Sequence, residues 1–382
     1  MEVIMCESYR MLFWNDLLEL HEYDSFIVAA RAFFLVVSGS IVIPPVINGK
    51  PVTEIGESAF QNCTELTHIT IPEGVKVIGD SAFSHCSSLT SISLPSTLEK
   101  IDNWAFYDCK RLKSVNIPEN VEWIGDNAFA GCESLTRIRL PYSLDYIRGS
   151  AFNGCTQLTQ ITIPENHPFF EVSNRLFTWK CGSCIIRTLM DPETRSFVIP
   201  EGTIAIDDSA FAGYKQLQSI RIPRSVQRIG PAAFADCPKL KNIILPPGIS
   251  EINSQTFFGD ESLKKIIIPD SVSDIYEEAF CGCQDLAEIK LPENLKSIGD
   301  KAFADCCELK KLHLPEKLYD IGDYAFANCS GLKTLRIPES VGYIGDDAFL
   351  YCDDLTLLVT RGSYAEEYCG IFEVPMRIVD EE

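Results

Sequence analysis

Histidine and basic side chains are scarce in this chain of 382 residues: five His, and 33 Lys plus Arg against 54 Asp plus Glu, for a formal charge of −21. Nucleic acid and anionic membranes are bound through net basic surfaces, so generic binding to either is excluded unless the positive charge is segregated. Long apolar runs are missing as well. The longest candidate, residues 26–37, is interrupted by Arg31 and falls short of the roughly 18 to 20 residues of a membrane span. The same stretch is a poor secretory leader, because residues 1–25 carry Glu2, Glu7, Asp16, Glu19, Glu22 and Asp24 against Arg10 alone, whereas a leader opens on basic residues. Residues 1–37 therefore read as an N-terminal cap, with a leader as the alternative.

Catalytic motifs are lacking too. None of His21, His68, His85, His167 and His313 stands at metal-ligand spacing from another, or beside a nucleophile-elbow serine or cysteine. The glycines do not assemble a phosphate-cradling Gly-x-Gly-x-x-Gly. No enzymatic activity, cofactor or metal is expected.

What the chain has in abundance is repetition. The dipeptide Ala-Phe, once Thr-Phe, puts Phe at 60, 83, 106, 129 and 152 and again at 211, 234, 257, 280, 303, 326 and 349, always 23 apart within a run. Counting from each Phe, position +6 is Leu in all twelve units, +9 and +11 are aliphatic save for Thr360, +12 is Pro in eleven and +3 is Cys in ten. Apolar residues at +9 and +11 between polar ones have the period of two of a strand with one buried face. Proline at +12 ends that strand, since it has no N–H for a ladder. The following Ile-Gly-Asp-x-Ala-Phe is expected to bend at Gly and to place Ala, Phe and Cys on one side of a helical turn or two. A unit this small cannot bury its own core, so stacked units must supply one another's interior. The 59 residues from Phe152 to Phe211 hold one enlarged repeat at about 165–199, where Gly182-Ser183 signals a protruding hairpin. Residues 38–361 are expected to form one repeat array, and 362–382 a C-terminal cap.

The pattern Ile-Gly-Asp-x-Ala-Phe-x-x-Cys-x-x-Leu-x-x-Ile-x-Ile-Pro resembles the BspA-type leucine-rich repeat family, over roughly residues 38–380. The resemblance implies an α/β repeat fold: a right-handed leucine-rich repeat solenoid with a parallel β-sheet on its concave face. It also implies a protein of the bacterial or protist surface that binds host or matrix components. Residues 1–37 depart from the family pattern, which keeps a cytoplasmic scaffold as the alternative.

Ten of the sixteen cysteines sit at +3 of the repeats. Stacked neighbours would have parallel Cβ vectors, which strains the dihedral near 90° that a disulfide needs. Buried thiols acting as small hydrophobes are expected instead. Cys181-Gly-Ser-Cys184 reads as plain thiols before a disulfide or a lone metal half-site.

Positive charge gathers where the strands should face solvent, at +7, +8 and +10. Those positions hold Lys113, Arg137, Arg139, Arg221, Lys241, Lys264, Lys265, Lys290, Lys310, Lys311, Lys333 and Arg336 against one acid, Glu288. Ile244 and Ile267 form an apolar pair inside this field, and His313 shares the face. The composition is that of a binding surface for a protein or an acidic glycan. The enlarged repeat, around Trp179, Cys181 and Cys184, is a second candidate.

Overall fold

The computed structural model describes residues 38–180 and 183–379, together with the backbone of Val3–Met5, Met11–Phe13, Leu18–Glu22 and Ile27–Ala32. The remainder of 1–37, where the cap or leader was expected, lies outside the described residues. The chain forms two compact units, Met1–Cys181 with Ile186–Asp191 and Gly182–Ile185 with Pro192–Glu382, called here the first and second units. Each is a mostly-strand parallel β-solenoid with a spacing of 23 residues between paired positions.

Successive coils are tied by two parallel ladders. The sheet ladder is built from three-residue strands such as Ser114–Asn116, Arg137–Arg139 and Gln160–Thr162, paired Val115↔Ile138↔Ile161. Its counterpart in the second unit runs through Ser196–Val198, Ser219–Arg221 and Asn242–Ile244, paired Phe197↔Ile220↔Ile243. The second ladder has two-residue rungs that end on a buried Ile, such as Lys100–Ile101 and Trp123–Ile124. Pairing in register follows from the repeat itself: a slip of one residue would turn every inward aliphatic toward water.

The expected helical turns are not helices. Between the ladders the described repeats hold only turns, apart from a short 3-10 segment at Gly149–Phe152, so the α/β expectation is corrected to a mostly-β coil. The reason lies in where the N–H groups go. Ser58, Phe60 and Asn62 donate to the carbonyls of Asp80, Ala82 and Ser84 in the next coil, at 2.7 to 2.8 Å. Ala59, Gln61 and Cys63 donate instead to the residue three before them. Alternate N–H groups thus point along the stack, which an α-helix, bonding each to its own fourth predecessor, forbids. The bend is carried by non-glycine residues in the left-handed region, among them Ser81 (φ 55°), Trp104 (φ 50°) and Lys301 (φ 52°). The glycine of Ile-Gly-Asp serves another purpose: a Cβ on Gly125 would come within 2.6 Å of the Asn103 backbone nitrogen. It is there for the close approach of one coil to the next.

Inside, the phenylalanines stack. Phe60, Phe83 and Phe106 follow one another at centroid distances of 5.2 and 5.3 Å with planes within 8°, and Phe280, Phe303 and Phe326 do the same at 5.3 and 5.4 Å. These fall in the range that aromatic pairs favour. The ladder cysteines lie beside them, buried and unbridged. Each of nine donates its Sγ–H to the Phe carbonyl of the preceding coil, as Cys86 does to Phe60 at 3.1 Å and Cys329 to Phe303 at 3.1 Å. Burial pushes these thiols up, Cys63 and Cys155 to about 12 and Cys352 to about 11.

Among the described residues the last coil, the closing helix and the enlarged repeat depart from the repeat. In the last coil Leu335 pairs with Leu357, 22 residues on, so Leu357 and Val359 are buried where +8 and +10 were expected to face solvent. With Arg361 in place of proline at +12 the strand extends to Thr356–Val359 and pairs with a closing strand, Met376–Ile378. The closing helix Tyr364–Phe372 is capped by Ser363, whose Oγ accepts from Glu366 N, while the Glu366 carboxylate accepts from Gly362 N. Its Tyr368 seals the Phe column edge-on at Phe349. In the enlarged repeat, Phe170–Ser173 and Leu176–Trp179 form an antiparallel hairpin around Asn174-Arg175, both left-handed. Gly182, half of the turn expected from sequence, lies outside the described residues. The Asn174-Arg175 hairpin does not protrude: Phe170, Leu176 and Phe177 are buried, and Phe170 and Phe177 belong to the core of the first unit.

Candidate ligand-binding surface

Because the sheet strands alternate, the middle residue of strands such as Arg137–Arg139, Asn242–Ile244 and Lys265–Ile267 is buried and both ends face solvent, and the in-register ladder lines those ends into columns. Arg137, Arg139, Arg221, Lys241, Lys264, Lys265, Lys290, Lys310, Lys311, His313, Lys333 and Arg336 are all exposed, as are Ile244 (83%) and Ile267 (56%).

In the second unit the column reads Val198, Arg221, Ile244 by direct pairing, and Ile267 pairs with Lys290 further along. Val198, 63% exposed, was missed by sequence reasoning because the enlarged repeat lacks an Ala-Phe anchor. Counting back two from Pro200 would have found it. Part of the charge is neutralised. Lys265 pairs with Glu288 at 2.6 Å, Lys310 with Glu308 at 2.9 Å, and Lys333 with Asp354. The hydrogen bond and charge of Lys310 hold the Glu308 carboxyl below its ordinary range. Arg221, Lys241, Lys264, Lys290, Lys311 and Arg336 have no ion-pair partner among the described residues.

The first unit presents a different face. Ser114 pairs with Arg137 and Arg137 with Gln160; one row along, Asn116 pairs with Arg139 and Arg139 with Thr162. These six line a depression of about 270 Å³ floored by Val115 and Ile138. The Arg139 guanidinium pairs with Glu119, while Arg137 has no ion-pair partner among the described residues. The four neutral partners were not singled out from sequence, since Ser, Asn, Gln and Thr on a strand look like ordinary solvating residues.

The enlarged repeat offers less than expected. Trp179 is half-buried against Phe170, centroids 4.8 Å apart, and belongs to the packing of the first unit. Cys184 is partly exposed, and Cys181 lies outside the described residues. His167 is buried: its Nε2 faces the Pro141 carbonyl at 3.1 Å and its Nδ1 accepts from the Phe169 and Phe170 N–H groups at 3.2 Å. Burial lowers its pKa, so the ring stays neutral and holds the turn. Among the described residues no group of three or more His, Cys, Asp or Glu is placed to hold a metal ion, and no helix is long and apolar enough to cross a membrane.

The model of the BspA type leucine rich repeat region matches residues 53–181, 190–264 and 250–369, in six copies. No curated protein matches the sequence. Among solved structures, a leucine-rich repeat protein from Eubacterium ventriosum is similar at a TM-score of 0.60 and 20% identity, over 80% of this chain and 90% of that one. A leucine rich cell surface protein from Faecalibacterium prausnitzii is similar at 0.57 and 27% identity, over 80% and 94%. The pneumococcal vaccine antigen PcpA shares the fold at 0.58 and 19% identity, over 96% and 99%. With the repeat pattern, the two ladders and a family match covering most of its length in agreement, the chain belongs to the BspA-type leucine-rich repeat family.

Proposed function

We propose that the protein is a non-enzymatic interaction module of the cell surface, holding an acidic protein partner on the sheet face of its second unit. The reading takes that sheet as the concave side of a right-handed coil. The observation that carries it is the exposed aliphatic set Val198, Ile244 and Ile267, surrounded by Arg221, Lys241, Lys264 and Lys290 without ion-pair partners among the described residues. Water-facing Ile on a regular strand contributes nothing to the core. An apolar centre with a charged rim is the composition of a protein interface. The cations lie on a molecule of net charge −21, so they mark one face and steer an acidic partner toward it. Surface placement is supported by the leucine rich cell surface protein of Faecalibacterium prausnitzii among the similar structures.

An intracellular scaffold is the second reading, favoured by the buried, unbridged thiols, which suit a reducing compartment. Fractionation of the source cells decides between the two.

The binding test is a screen of immobilised acidic matrix and host-surface proteins. Affinity for the partner found should fall steeply between 50 and 500 mM salt, as exposed charges are screened within about 10 Å at 0.1 M. Changing Lys264, Lys265, Lys310 and Lys311 together to Glu should abolish binding without unfolding the array, since all four side chains are exposed. A partner indifferent to both salt and that variant would leave the basic face as solvated surface only.

A further inference from the structure

We propose that the depression around Arg137 and Arg139 in the first unit is a binding site for an acidic sugar, a uronic acid unit whose carboxylate is held by Arg137. The inference rests on reading the sheet faces as binding surfaces, but it concerns a different unit and a different ligand chemistry from the protein site.

The geometry comes from the ladder. Three adjacent strands in register put Ser114, Arg137 and Gln160 in one row and Asn116, Arg139 and Thr162 in the next. Neighbouring strands lie about 4.8 Å apart, and the two rows, two residues apart on one face, about 6.6 Å apart. The six side chains therefore cover an area close to that of one pyranose ring with its substituents. The volume, about 270 Å³, lies just under the roughly 300 to 1,000 Å³ typical of drug-sized sites.

The chemistry selects among occupants of that size. Arg137 has no ion-pair partner among the described residues, and its planar fork matches the two oxygens of a carboxylate. Around it stand two hydroxyls and two amides, side chains that both donate and accept. Vicinal sugar hydroxyls, which also do both, fit such a set. A peptide fits it poorly. The apolar side chains of the floor, Val115 and Ile138, are 4% and 2% exposed, which leaves no pocket for the aliphatic or aromatic anchor that a protein interface needs. The backbone groups beneath are engaged in the ladder on both sides of Arg137–Arg139, so no strand edge is open for β-augmentation there. The second unit, with its exposed Ile244 and Ile267, offers what this depression lacks.

Glu119 supplies an internal control. Its carboxylate pairs with Arg139 and so occupies one of the two guanidinium groups. Releasing Arg139 should strengthen binding of an anion at this place and nowhere else.

The experiment is calorimetric titration of the full chain with an octamer of galacturonic acid, its fully methyl-esterified form, dextran sulfate and poly-glutamate, at 50 and 150 mM salt. The uronate octamer should bind, and the ester, which keeps the hydroxyls but loses the charge, should not. Arg137→Gln should weaken uronate binding at least tenfold. Arg137→Lys, which keeps the charge and loses the fork, should weaken it several-fold, while Glu119→Gln should tighten it several-fold. Melting temperatures of the three variants, all at exposed positions, report that the fold is intact. The quadruple Lys-to-Glu variant of the second unit should leave uronate binding unchanged, so this site and the protein site succeed or fail separately. The proposal is overturned if the octamer shows no binding at millimolar concentration, if poly-glutamate or dextran sulfate binds the quadruple Lys-to-Glu variant as well as the uronate does, or if Arg137→Gln leaves affinity unchanged.

Discussion

The two units share a skeleton and differ in what they show to water. Both stack Phe on Phe at 5.2 to 6.2 Å, and both bury Leu at +6 and most of the aliphatics at +9. On the sheet face the first unit displays Ser91, Ser93, Ser114, Asn116, Gln160 and Thr162 around two arginines, with no large aliphatic exposed on those strands. The second unit displays lysines and bare Ile244 and Ile267 on the equivalent rows. Because a strand alternates sides residue by residue, the positions that hold the coil and the positions that face solvent interleave without sharing an atom of side chain. The outward set is thereby free to differ between units while the inward set stays constant. A second difference lies inside. The Cys column runs unbroken from Cys63 to Cys155 in the first unit, but in the second unit Tyr214 and Asp260 take two of its places.

The largest test of the shared skeleton removes one inward leucine from each unit. Leu112→Ala and Leu240→Ala, both fully buried, should each destabilise by about 2 to 5 kcal/mol through the cavity left behind. Thr90→Ala on the outward side, where the hydroxyl donates to the Thr67 carbonyl at 3.0 Å, should change stability by no more than about 0.5 kcal/mol. Urea unfolding measures all three. Comparable losses at Thr90 and the leucines would break the inward and outward assignment.

The next test concerns Asp260. Its side chain is fully buried; one oxygen accepts from Cys237 N–H at 2.9 Å and the other has no partner. Burial raises its pKa well above the ordinary carboxyl value, with the charge of Asp236 adding to the shift. The folded state therefore holds a proton that the unfolded chain has released. Its contribution to stability is fully present below the unfolded value near 4 and is lost as pH rises toward the folded one. Asp260→Cys restores the column and should stabilise by about 1 to 3 kcal/mol at pH 7. The gain should shrink as the pH is lowered toward 4, as chemical unfolding at several pH values will report. A gain independent of pH would mean that packing, not the buried carboxyl, distinguishes the two columns.

The smallest expected effect probes the turns. Lys301 is exposed and left-handed at φ 52°, a conformation that costs an L-residue about 1 to 2 kcal/mol and glycine almost nothing. After the extra chain entropy of glycine is subtracted, Lys301→Gly should stabilise by about 0.5 to 1 kcal/mol. A loss in thermal unfolding would assign a larger role to its pairing with Glu278 at 3.5 Å.

Much of the molecule was legible as text because the repeat is a physical rule applied twelve times. Invariant Leu at +6, Cys at +3 in ten units and Pro at +12 in eleven are one environment met again and again, so their burial, their register and the unbridged thiols could be read directly. The phase slip at Leu357 was half visible in Thr360 and the absent proline. Of the basic face, the sequence pattern located the charged members of the twelve Phe-anchored repeats by counting, but not Arg195, which is exposed one residue before Ser196–Val198. It missed Val198, whose repeat has no Phe to count from, and the neutral residues around Arg137.

The turn conformation, the ion pairing and the depth of the sheet face were decided only by the folded chain. No local preference places Trp104 or Lys301 in the left-handed region. Stacking does, because alternate N–H groups must find carbonyls in the next coil and not in their own. Which arginine is free is likewise a matter of reach: Arg139 meets Glu119, twenty residues away in sequence, and Arg137 does not. Sequence by itself determined that the chain would coil at 23 residues with Phe, Leu, Ile and Cys inside, since a side chain's hydrophobicity belongs to the residue. What surrounds each outward side chain belongs to the neighbouring coils, and only the tertiary structure brought those together.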